Sequence, residues 1–122
     1  MQRIKRSLLA DIQEKIQYNP VVALLGARQV GKSTLVKEII QNTENSIYLD
    51  LELDSDRMKV EKDPELFFEI NKGRLICLDE IQFLPELFKT LRGVIDKAGK
   101  HGQFLILGSA SRVSSFTFKR KL

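Results

Sequence analysis

Gly26, Gly31, Lys32 and Ser33 stand at the spacing G-x-x-x-x-G-K-[ST], inside "GARQVGKST" at residues 26–34. Residue types in this order suit a chain of phosphates. Glycines let the main chain turn tightly and bring its N–H groups up to phosphate oxygens with no Cβ in the way. Successive N–H groups make an anion-binding concavity, and a helix starting there points its positive pole at the same spot. The Lys32 ammonium can reach the β- and γ-phosphates, and the Ser33 hydroxyl can ligate Mg²⁺. Thr34, next in line, supports the α-phosphate side. The pattern predicts a cradle for a nucleoside triphosphate. Ordinary residue frequencies would produce it in roughly one random chain of this length in two or three hundred.

A second cluster lies at the end of "RLICLDE", residues 74–80. An apolar run closing on adjacent carboxylates has the form of the acidic (Walker B) site that accompanies such a phosphate loop. Asp79 is the candidate Mg²⁺ ligand, directly or through water. Glu80 is the candidate residue for polarising an attacking water, because a γ-phosphate needs a positioned nucleophile more than covalent chemistry. "ILGSAS" offers Ser109 and Ser111 as polar side chains that sense the γ-phosphate or hold the water; the alternative is a plain Gly-Ser turn. Asp50, at the end of another apolar run, is either an acid supporting this site or a solvated strand end. "GKHG" around His101 reads as a turn. Cys77, inside an apolar run, reads as a core residue.

These groups need elements to position them. Residues 7–17 predict a helix with Ser7 as its N-cap and Leu8, Leu9, Ile12 and Ile16 at helical spacing, ended by Asn19-Pro20. "VVALLG" reads as a strand covered on both faces. A helix follows over residues 32–41, with Leu35, Val36, Ile39 and Ile40 inward. "SIYLDLEL" alternates as a second strand, and residues 54–62 predict a loop or irregular helix. Asp63-Pro64 is a helix start, Asp as N-cap and Pro at the first position, with a stop near Gly73. "RLICLDE" is a third strand. "PELFKTLRGVIDKAG" is a helix with Leu87, Phe88, Leu91, Val94 and Ile95 on one face, and "QFLILGSAS" is a fourth strand. The alternation predicts a three-layer α/β/α fold around a parallel sheet. Ligands of such sheets bind at the carboxyl ends of the strands, where "GARQVGKST", "LDE" and "GSAS" all fall.

Composition narrows the classes. The chain has 122 residues, 43% of them hydrophobic, which suits one globular domain. No apolar run approaches the ~20 residues of a membrane span, and the basic, amphipathic N-terminus lacks the features of a secretory signal. One cysteine permits no intrachain disulfide, so a reducing, cytoplasmic setting fits. The net charge of +4 suits a polyanion, nucleotide or nucleic acid, though much of the excess lies in the terminal "RIKR" and "FKRKL".

Taken together, "LLGARQVGKSTL", "LICLDEIQFLPELFKTLRGVID" and "FLILGSAS" resemble the AAA-type P-loop ATPase domain of prokaryotic ATP-binding proteins that carry a DUF4143 C-terminal region. "LDEIQFLP", from Leu78 to Pro85, is the most specific part. The resemblance implies ATP bound over Gly26, Ala27, Arg28, Gln29, Val30, Gly31, Lys32, Ser33 and Thr34, with Mg²⁺ assistance from Asp79. It also implies hydrolysis assisted by Glu80, a sensor-like Ser109, and self-association through the AAA-type interface. It implies the sheet order 5-1-4-3-2. Such proteins continue with a fifth core strand, an arginine finger and a further domain. "RVSSFTFKRKL" departs from that continuation, so residues 1–112 are expected to form the core, incomplete at its C-terminal end, and residues 113–122 a basic tail. Arg112 is the one late arginine near the expected site. Three readings follow: an Mg-ATP hydrolase module, a nucleotide- or nucleic-acid-binding module without turnover, and a non-functional remnant.

Overall fold

The computed structural model describes residues 2–25, 32–98 and 104–108. Four apolar runs form one parallel sheet: β1 (Val21–Leu25), β2 (Ser46–Asp50), β3 (Leu75–Asp79) and β4 (Phe104–Gly108). Their order across the sheet is β1-β4-β3-β2, which matches the expected arrangement for these four strands. Parallel neighbours need long crossovers, and helices supply them. These are α1 (Gln2–Tyr18), α2 (Lys32–Gln41), α3 (Asp54–Glu61), α4 (Pro64–Ile70) and α5 (Leu87–Ala98).

Strand alternation divides the core into two clusters, one on each face of the sheet. Ile76 and Leu78 of β3, with Ile106 of β4, pack with Val60 of α3, Phe68 of α4 and Leu87, Phe88 and Leu91 of α5. Leu75 and Cys77, with Leu105 and Leu107, face the other way against Ile12 of α1 and Val36 and Ile39 of α2. Cys77 is buried and free, as its apolar setting predicts. The inward faces expected for α2 and α5 hold at every described position. Phe68 stacks edge-on against Phe104 at 5.4 Å, tying α4 to the sheet.

Local signals explain most element boundaries. Asp63 caps α4, its carboxylate accepting from the Leu66 N–H at 3.2 Å with Pro64 in the first turn. Gly73, at φ 89°, turns the chain toward β3 in a conformation that costs other residues. Three boundaries differ from expectation. Helix α1 starts at Gln2, not beyond Ser7, because the residues before Ser7 include no helix breaker. The charged stretch after β2 is a regular helix, α3, whose Val60 is fully buried and whose Arg57 donates to the Leu51 carbonyl at 3.0 Å. β2 stops at Asp50 and does not run on to Leu53. There the Asp50 carboxylate accepts from the Glu52 N–H at 3.0 Å, and the Leu53 N–H bonds the Asp50 carbonyl at 3.0 Å, closing a turn.

Leu78, fully buried at the centre of the sheet, should be costly to truncate. Leu78→Ala is expected to lower unfolding free energy by about 2–5 kcal/mol. The exposed Leu66→Ala should stay within about 0.5 kcal/mol of wild type. Urea denaturation of both variants measures the contrast.

Candidate functional site

Parallel strands bring their carboxyl ends to one edge. Leu25 lies opposite Gly108 in the β1–β4 register, and Asp50 lies opposite Asp79 in the β2–β3 register. The predicted phosphate loop leaves this edge directly after Leu25, and α2 opens at Lys32. Gly26, Ala27, Arg28, Gln29, Val30 and Gly31 lie outside the described residues, as do Ser109, Ser111, Arg112 and His101. Lys32, Ser33 and Thr34 form the first turn of α2; their side chains fall outside the described part. Alternation places Asp79 on the same face as Leu75 and Cys77, the face that α2 covers through Val36 and Ile39.

Asp79 is 3% exposed. A carboxylate so far from water is tolerable only when hydrogen-bonded. Its Oδ1 accepts from the Glu80 N–H at 2.9 Å, and its Oδ2 accepts from the Tyr48 hydroxyl. Tyr48 comes from β2, where it pairs with Cys77, one step back along the strand face from Asp79. Burial pushes the Tyr48 hydroxyl far above its ordinary 10.0, and the bond to Asp79 and the charge there push it further. Burial, then the Asp79 charge, likewise pushes the Cys77 thiol well above its ordinary 9.0. Sequence reasoning missed Tyr48. Its only sequence signal is an aromatic hydroxyl two positions before the end of a strand, and the strand pairing that gives this meaning is not written in the sequence.

Glu80 follows in a left-handed conformation, φ 56° and ψ 50°. A non-glycine residue there costs about 1–2 kcal/mol. The turn after β3 compensates: the Phe83 N–H bonds the Glu80 carbonyl at 3.1 Å, and the Gln82 side-chain amide donates to Glu80 Oε2 at 2.7 Å. This turn, Ile81–Phe83, lies against the end of β4. A Cβ on Gly108 would come within 2.7 Å of Ile81 Cγ2 and 2.9 Å of Gln82 Oε1. Glycine at this position therefore lets β4 close on the turn that carries Glu80.

Asp50 serves its own turn, as described above. A cavity of about 730 Å³ opens between α4 and α5 at the other end of the strands, over Arg74, Ile76 and Phe104; neither Asp79 nor Glu80 lines it. Among the described residues no group of three or more His, Cys, Asp and Glu side chains could hold a metal ion. No described helix is long and apolar enough to cross a membrane.

Comparison with known proteins agrees with this geometry. A family model described as "AAA domain" matches residues 18–122. The chain belongs to the AAA domain family. It is thus an AAA-type P-loop domain, a nucleotide-binding class, and the parallel sheet with flanking helices is the matching fold. The uncharacterized proteins Mb2031c of Mycobacterium bovis and Rv2008c of Mycobacterium tuberculosis are each 36% identical to it over 107 residues, covering 88% of this chain. The chain spans about a quarter of their length, 24% in each case. No solved structure matches the chain significantly.

The buried Tyr48 and Cys77 make a pH prediction for this AAA domain. Both hold their protons more tightly when folded, so the unfolded chain releases them first, near 9.0 for the cysteine and 10.0 for the tyrosine. Their contribution is fully present below about pH 9 and is lost as pH rises beyond it. The urea midpoint should stay level from about pH 7 to pH 8.5 and fall above pH 9, with a smaller fall in a Tyr48→Phe/Cys77→Ala double variant. At pH 8 Cys77 should resist a thiol reagent until the chain is unfolded.

Proposed function

We propose that this AAA domain binds Mg-ATP and, as part of a complete protein, hydrolyses it to drive a conformational change. The observation that carries the reading is the pair Asp79–Glu80. It consists of a buried carboxylate hydrogen-bonded on both oxygens and a partly buried glutamate held in a left-handed conformation on the turn that follows, at the carboxyl end of β3. The first turn of α2, on the same face, completes G-x-x-x-x-G-K-[ST].

The residues suit Mg²⁺. That ion keeps several waters and takes one or two carboxylates together with phosphate oxygens, so a single buried carboxylate fits it better than an all-protein cage would. Asp79 and the Ser33 hydroxyl are the proposed holders. Bound there, Mg²⁺ would supply positive charge to offset that of the phosphates. The main chain of residues 26–31 cradles the phosphates, and Lys32 adds a cation at the β- and γ-positions. Glu80 orients the attacking water and accepts its proton, and Ser109 is the proposed sensor of the γ-phosphate. The choice of adenine rests on the family, as does the inference that movement is passed to further parts of a longer protein, such as a DUF4143-type region.

Lys32→Ala should abolish Mg-ATP binding in calorimetry, and an unchanged affinity would refute this site. In a full-length relative, the substitution equivalent to Glu80→Gln should retain binding and lower phosphate release by about 10²–10⁴-fold, since an amide accepts no proton from water. Equal release from both proteins would leave a binding module without turnover as the better reading.

A further inference from the structure

Tyr48 is a described side chain in direct contact with the acidic pair that the reading above does not use. Its ring is half-buried on the α1–α2 face of the sheet, against the core cluster that includes Cys77, its partner in the β2–β3 pairing. Its hydroxyl donates to Asp79 Oδ2, while the Glu80 N–H holds Oδ1. The two donors approach from different elements, β2 and the turn after β3, and each takes one oxygen. A carboxylate has about four lone-pair sites. Donors on both oxygens, held by two different elements, fix the plane of the group and so the directions in which it can bind anything further.

We propose that Tyr48 is a positioning residue for the metal function of Asp79: its hydroxyl sets the orientation of the buried carboxylate toward the Mg²⁺ that accompanies the nucleotide. This rests on the reading of Asp79 as a Mg²⁺ holder. Three observations support it. The Asp79 carboxylate is nearly sealed from solvent, so water does not orient it. The main-chain N–H of Glu80 moves with the αL turn and fixes only one oxygen. Tyr48 sits on a strand whose register to β3 is held by five residue pairs from Ser46↔Leu75 to Asp50↔Asp79, so its hydroxyl is placed by a rigid element. Groups that hold a ligand from behind in this manner influence metal affinity by about 10–100-fold when removed. They also do so without touching the phosphates, so nucleotide affinity in the absence of metal should not change.

The experiment titrates Mg²⁺ into the full chain in the presence of a fluorescent ATP analogue, with folding checked by circular dichroism. Tyr48→Phe removes one oxygen and keeps the ring in place. It is expected to raise the Mg²⁺ concentration at half-saturation about tenfold or more, with analogue affinity in EDTA unchanged. In an Asp79→Asn background the same substitution should have no further effect on the metal titration. Ile16→Ala, which loosens packing on the same face without contacting Asp79, should leave the half-saturation point at the wild-type value. An unshifted midpoint in Tyr48→Phe overturns the proposal alone. So does an equal shift in Ile16→Ala, an additive effect in the Asp79→Asn background, or a Tyr48→Phe chain that fails to fold, since each assigns the bond to core stability. A wild-type chain that binds the analogue with no response to Mg²⁺ overturns the metal role of Asp79, and this proposal with it. A wild-type chain that does not bind the analogue at all overturns the nucleotide reading as well.

Discussion

Five consecutive residues of β3, Leu75–Asp79, are withdrawn from water, and the rest of the molecule follows from keeping them so. A strand buried on both faces and hydrogen-bonded on both edges needs a neighbour on each side and a helical layer above and below. β2 and β4 are the neighbours. α1 and α2 form one layer, and α3, α4 and α5 the other. Because the neighbours run parallel, each connection must cross the sheet as a helix and return, so every strand leaves the core at the same edge. That edge is where the chain can place polar groups without breaking the core.

The edge carries its costs in an ordered way. Asp79 is the last residue of the buried strand, a polar side chain beside apolar ones, which its hydrogen bonds to Tyr48 and the Glu80 N–H make tolerable. Glu80, one residue on, leaves the strand through a left-handed step that sends the chain into the Ile81–Phe83 turn. Gly108 lets β4 approach that turn within a distance no side chain would allow. Strain of this kind at the end of a rigid strand is common where a residue must be aimed. The two carboxylates, adjacent in sequence, thereby have different environments: one sealed and fixed, the other on a turn and bound to a neighbouring amide.

The opposite end of the sheet has a different character. There α4 and α5 flank an open cavity floored by Phe104 and Ile76 and rimmed by charges of both signs. The relatives from Mycobacterium are about four times as long as the matched segment, so the domain is a part of what those proteins contain.

The sequence by itself determined the alternation of apolar strands and amphipathic helices, the parallel sheet, the inward faces of α2 and α5, the Asp63-Pro64 helix start and the burial of Cys77. These depend on local spacing and on the need to bury apolar surface, both of which are written along the chain. The position of Asp79 at the end of a buried strand was legible for the same reason. The tertiary structure alone decided that β2 stops at Asp50, because that choice depends on a side chain folding back on its own turn. It alone decided the left-handed step at Glu80 and the closeness of Gly108 to Gln82, because these arise where β4 meets a turn 26 residues earlier. And it alone brought Tyr48 to Asp79, 31 residues apart, since a hydrogen bond across two strands depends on their pairing and register, which no local pattern specifies.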